Sequence, residues 1–163
     1  KYLVNSVRIL SGNDSQFISY NDETNEDAST EESDAYADIE EKLGIKLPEF
    51  YYRPSGMEFL DYSINMTMFY ATLEYKYKEN IVILYINRQD DSTVSNVSSL
   101  NGEKQIVEKM NKDNVDVIIN EMNDQTDKNP TYIASWEYKN VVYYFNGKIQ
   151  LEELKKIIEY MKF

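Results

Sequence analysis

The sequence predicts an α+β domain, built on an antiparallel, mostly meandering sheet of about six strands, with an N-terminal and a C-terminal helix packed on one face. Two patterns predict it. Apolar and polar residues alternate with a period of two through MFYATLEYKYK, TYIASWEY and VVYYF, and two pairs of such segments are each joined by a two-residue turn. Helical periodicity is confined to segments ending at Leu43 and beginning at Leu151, which flank the strands. A length of 163 residues fits one domain, and 42% hydrophobic with 28% charged residues is a globular composition.

At the N-terminus, YLVNSVRIL and SQFISY flank Gly12-Asn13, which predicts a short hairpin. NDETNEDASTEESD (Asn21–Asp34) is polar and lacks aromatic residues, so it reads as a solvated linker. Residues 1–33 are therefore expected to form a hairpin and acidic linker, and 34–163 the single α+β domain. A helix starts with Ser33 or Asp34 as its cap, buries Ala35, Ile39 and Leu43, and stops before Gly44. IKLPEFYYRPSGM, with two prolines and a glycine, reads as an extended crossing segment.

Next comes a half-buried strand. Phe69, Ala71, Leu73, Tyr75 and Tyr77 share one face; Tyr70, Thr72, Glu74, Lys76 and Lys78 share the polar one. A turn at Glu79-Asn80 pairs Lys78 with Ile81 and brings Val82, Leu84 and Ile86 to the Leu73 face. In the second hairpin Tyr132, Ala134, Trp136 and Tyr138 share a face with Val141, Tyr143 and Phe145, across a turn at Lys139-Asn140. QIVEKM and VDVIINEM read as a third strand pair, with a helix at 104–110 as the alternative. LEELKKIIEYMKF closes the chain as a helix with Leu151, Leu154, Ile157, Ile158 and Met161 on one side.

Composition removes much chemistry. Cysteine and histidine are absent, so disulfides, Cys/His zinc sites, thiol nucleophiles and imidazole catalysis are unavailable. The longest apolar run, Ile81–Ile86, is far short of the ~20 residues of a membrane helix. Net charge is −12, but 11 of the 29 acids lie within residues 14–41, which hold no Lys or Arg. Elsewhere 17 bases face 18 acids, and no basic stripe suits nucleic acid.

The acidic linker places Asn21, Glu23, Asn25, Asp27 and Glu32 at liganding positions of an EF-hand-like count, but Glu26 stands where the sharp turn needs glycine. A solvated segment is the better reading, with weak calcium binding of another kind left open. Glu74, Glu121 and Glu137 lie on predicted strands, and Glu74 and Glu137 belong to the polar face, so a carboxylate-pair hydrolase ranks last. The loop RQDDSTVSNVSSLNG has no phosphate-binding glycine pattern, and Ser92, Ser95, Ser98 and Ser99 lack a base partner. No catalytic, cofactor-binding or metal-binding residue is predicted, and no cofactor.

Tyrosine is in excess, at 15 residues beside six Phe and one Trp. Most rings are expected in the core. Phe50, Tyr51 and Tyr52 are consecutive in an irregular segment and cannot all point inward, so together with Trp136 they form the candidate contact surface.

LGIKLPEFYYRPSGMEF (Leu43–Phe59) and YIASWEYKNVVYYFNGKIQLEELKKII (Tyr132–Ile158) together resemble the bacterial domain-of-unknown-function family DUF4367. The shared features are a helix ending in LGI, a P-x-F-x-Y-x-P-x-G-M-x-F crossing and a closing Y-x-x-G-x-I-x-x-E-E-x-x-K-I-I helix, over roughly residues 36–161. Gln150 departs from the Ser or Thr expected to cap that helix. The resemblance implies the part of a Gram-positive protein that follows a single membrane-spanning segment, sometimes in proteins that look like anti-sigma regulators. It supplies no activity and no catalytic residues.

The chain opens at Lys1 without an initiator Met, a charged n-region or an apolar h-region, so it is expected to be a processed product or fragment, with any signal peptide or anchor lying upstream. The resulting expectation is a non-catalytic extracytoplasmic sensing or interaction domain, tethered to the membrane and contacting an unknown protein or small ligand. The alternative is a carrier or binder of a lipid, peptide or sugar held between sheet and helix, which needs an open apolar cavity there.

Overall fold

Seven strands form one antiparallel sheet in the computed structural model, which describes residues 6–11, 14–19, 32–89, 104–110, 112–123 and 129–163. At the N-terminus β1 (Ser6–Ser11) and β2 (Asp14–Ser19) pair as the expected hairpin, with Ser11 opposite Asp14. Linker residues 21–31, and with them most of the calcium question, lie outside the described residues, as does most of the 88–102 loop.

The large sheet comprises β4 (Met57–Asn65), β5 (Tyr70–Tyr77), β6 (Asn80–Arg88), β7 (Lys104–Met110), β8 (Val115–Met122), β9 (Thr131–Tyr138) and β10 (Val141–Gly147). Its order is β4-β5-β6-β10-β9-β8-β7. Two meanders thus meet at one seam, where β6 pairs with β10. α1 (Glu32–Leu43) precedes the sheet and α2 (Leu151–Glu159) follows it, while β3 (Glu49–Phe50) pairs with β11 (Met161–Lys162).

Several details differ from the expectation, the helix ends among them: α1 starts at Glu32, with Ser33 and Asp34 inside it, and α2 stops at Glu159, which leaves Met161 to β11. β4 is a strand, which makes seven rather than six. A bulge between Phe59 and Asp61 breaks its alternation: Met57 and Phe59 face Tyr77 and Tyr75, and after the slip Tyr62 and Ile64 face Leu73 and Ala71. The β5–β6 turn falls at Lys78–Glu79, so Tyr77 rather than Lys78 begins the pairing, with Asn80. Both registers keep Leu73, Tyr75, Val82 and Leu84 on one face, because the slip is one residue on each strand. Residues 104–110 are strand, which settles the choice left open there.

One face of the sheet carries the core. Leu73, Leu84, Phe145, Ala134 and Ile119 are successive cross-strand partners, and all are buried. Ala35, Ile39 and Leu43 of α1, and Leu154, Ile157 and Ile158 of α2, belong to the same cluster. Each large side chain so buried contributes roughly 1.5–3 kcal/mol of transfer free energy. Two core tyrosines satisfy their hydroxyls at its margin: Tyr75 donates to Glu32 (2.8 Å) and Tyr143 to the Lys46 carbonyl (2.6 Å). Burial raises both phenols well above their ordinary range.

The opposite face is not the solvated surface its alternation predicts. Tyr70, Thr72, Glu74, Tyr85, Asn120 and Ser135 are all buried. Tyr70 stacks on Tyr85 at 5.4 Å between centroids, and Tyr144 follows at 6.1 Å, so the rings shield one another across β5, β6 and β10. Burial pushes the Tyr85 phenol up to about 12.

Candidate functional site

The four residues singled out as a contact surface are separated by the fold. Pairing of β3 with β11 draws Phe50 against the rings of Tyr75 (5.4 Å, edge-on) and Phe145 (5.9 Å). Arg53 covers Phe50 at 5.4 Å and pairs with Glu32 at 2.5 Å. Tyr52 turns to α2 and donates to Glu153 at 2.5 Å, which holds that carboxyl below its ordinary range. Trp136 is 1% exposed and stacked on Tyr143 with planes 7° apart, so it offers nothing to a partner. Only Tyr51, 62% exposed beneath the Lys162 ammonium, faces outward. Pairing with Met161 fixes Phe50, and β3 ends there, so Tyr51 and Tyr52 are placed by the bend that follows.

A different apolar surface stands at the β4–β5 turn. Met66, Met68 and Phe69 are 48%, 64% and 37% exposed. Asn65 organises the turn, its Oδ1 accepting the backbone N–H groups of Thr67 (3.0 Å) and Met68 (2.9 Å). Phe69, expected as the first inward residue of the strand, instead sits in the turn with φ 52°, a left-handed conformation that a bulky side chain rarely adopts. Arg88 keeps it there: its backbone N–H donates to the Phe69 carbonyl (3.0 Å) and its guanidinium lies 4.9 Å from the ring centroid. Nη1 of Arg88 also donates to the Leu43 carbonyl at the end of α1 (2.7 Å). The local sequence held one signal for this turn, Asn65 before an M-T-M-F run.

Arg88 is shared with a pocket of about 590 Å³ formed by the loop after α1, the end of β6 and the β9–β10 turn. A second pocket, about 350 Å³, lies at the opposite strand ends near Lys78, Tyr132 and Leu151. Both open at the ends of strands, and the layer between sheet and helices is occupied by core side chains.

The candidate carboxylates do not converge. Glu121 shares the core-side face with its partner Tyr132, whose hydroxyl approaches it at 3.4 Å, whereas Glu74 lies on the other face. Glu137 shares the Glu74 face but lies three strands across and four residues along the sheet, about 20 Å away, beyond the ~5–9.5 Å of a glycosidase pair. Glu74 is directly opposite Asp61, and burial followed by that neighbouring charge raises its carboxyl. Among the described residues no group of three acidic side chains could hold a metal ion, and no helix is long and apolar enough to cross a membrane.

A family model described as a domain of unknown function, DUF4367, matches residues 47–161, from the segment after α1 to β11. No curated protein and no solved structure matches the chain.

Proposed function

The chain belongs to the DUF4367 family, and from that premise we propose that it is a non-catalytic interaction domain, held outside the cell by an anchor elsewhere in the protein and contacting a protein partner through the β4–β5 turn. The observation that carries this reading is the exposed Met66, Met68 and Phe69 tip, stiffened by Asn65 and Arg88. A rigid, adaptable apolar knob of this kind suits a hydrophobic pocket on a partner, where a few buried side chains dominate binding. The strain at Phe69 has no use in packing, since the ring stays partly outside the core, and backbone strain of this sort persists at functional sites. The filled layer between sheet and helices supports a surface role over carriage of a ligand there.

The test uses the intact gene product in its own cells, with a photo-crosslinking side chain at Met68 or, as an exposed control on another strand, at Val107. A discrete adduct from position 68 that is absent from 107 and lost in Met66→Ser/Phe69→Ser is the expected result. Equal or absent adducts from both positions, or digestion of the domain only after the cells are opened, would sink the reading.

A further inference from the structure

We infer that the pocket beside Arg88 binds a small organic anion, a phosphate ester or carboxylate carried on an aromatic or aliphatic body. Three separate segments each contribute one basic residue to its lining: Lys46 from the loop after α1, Arg88 from the end of β6 and Lys139 from the β9–β10 turn. Among the described residues its lining includes no aspartate or glutamate, in a chain where 29 acids outnumber 17 bases. A concave site lined by one sign of charge focuses the field on a ligand of the other. The volume of about 590 Å³ falls within the range of small-molecule sites, roughly 300–1,000 Å³.

The cations are placed by the fold. Arg88 spends one donor on the Leu43 carbonyl, and the guanidinium has five, so the rest of its fork is available for bidentate contact with an anion. Lys139 and Asn140 are both left-handed, with φ 49° and 62°, which fixes the turn that carries the Lys139 ammonium. The Tyr143 hydroxyl holds the Lys46 carbonyl at 2.6 Å and anchors the third segment. Among the described residues one carboxylate pairs with this set from outside the lining: Glu40 holds Lys46 at 3.0 Å. That pair is exposed and of little net value, so an incoming anion can take the ammonium at small cost. Tyr138, half-buried, supplies the ring on which the body of the ligand would lie, with the buried Val141 and Tyr143 behind it.

Phenyl phosphate, titrated into the whole chain and followed by amide NMR, tests the inference, with benzyl alcohol as the uncharged analogue. Saturable shifts at Ile45, Lys46, Gln89, Lys139 and Asn140 are expected, with affinity about tenfold weaker in Lys46→Gln/Lys139→Gln and falling with salt. The same residues responding to phosphatidylglycerol vesicles, but to neither phenyl phosphate nor phosphatidylcholine vesicles, would assign the anion to a lipid headgroup. Absence of saturable shifts with phenyl phosphate and with anionic vesicles overturns the inference. So does equal binding of benzyl alcohol, a comparison that needs no variant, or unchanged affinity in the folded double variant.

Discussion

Replacing Phe69 by glycine and, separately, by alanine divides the strain at the β4–β5 turn from the contribution of the ring. Holding an L-residue in the left-handed region costs roughly 1–2 kcal/mol, and alanine keeps that cost while glycine removes it. Glycine gives back part of the gain through the greater freedom of its unfolded chain, which leaves Phe69→Gly about 1 kcal/mol more stable than Phe69→Ala. The ring itself contributes through the guanidinium of Arg88, 4.9 Å from its centroid. An exposed cation–π contact is worth about 0.5–1 kcal/mol, so alanine falls below wild type by roughly that amount and glycine lies close to wild type. Urea unfolding followed through the fluorescence of Trp136, the one tryptophan, resolves this difference. In thermal melts it corresponds to a separation of about 2–4 °C between the two variants. Alanine as stable as glycine would refute a strained Phe69 and remove the main physical argument for a functional tip.

Gly147→Ala is expected to destabilise by about 1–3 kcal/mol by urea denaturation. An added Cβ would lie 2.8 Å from Val82 Cγ2 and 3.0 Å from its Cα, and Val82→Ala in the same chain restores only part of the loss because the backbone contact stays. Glu74→Gln should raise stability at neutral pH and change nothing well below pH 4.5. The folded protein holds a proton at Glu74 that the unfolded chain releases, so wild-type stability falls as pH rises from 4.5 toward the raised value. A midpoint difference that ignores pH would count against this origin. At the alkaline end, Tyr36, Tyr75 and Tyr143 resist ionisation through burial, so stability is lost as pH climbs above 10. Phenolate absorbance should accordingly rise in two phases, the later one coinciding with loss of the circular-dichroism signal.

The two tight hairpins were legible because alternation and a two-residue turn are local properties, and Trp136 falls opposite Tyr143 as the pattern requires. Strand β4 was hidden by its bulge, which shifts the inward set from Met57 and Phe59 to Tyr62 and Ile64. Alternation also assigned Tyr70, Thr72 and Glu74 to solvent, since a two-residue period tells the faces apart without telling how deeply each is covered. The chemistry of Trp136 points to a contact residue, whereas its depth follows from the ring beneath it on β10, a non-local fact. The pocket was illegible for the same reason. Lys46, Arg88 and Lys139 meet only because β10 lies beside β6, and neither hairpin encodes that neighbour.

That seam divides the molecule into two folding units. α1 rests on β4 and β5, and α2 on β7, so each meander carries its own helix. Strands paired within each unit follow one another directly in the chain, but Leu84 and Phe145 meet across 61 positions. Closing a loop of that length costs about 3–4 kcal/mol of chain entropy, so each meander should assemble quickly and their union should set the folding rate. At one end the joint is clasped by the end of α1 and the loop after it, which accept Arg88 of β6 at Leu43 and Tyr143 of β10 at Lys46. An anion seated there would touch both units at once and slow their separation, so its binding would register in hydrogen exchange along β6 and β10, far beyond the residues that hold it.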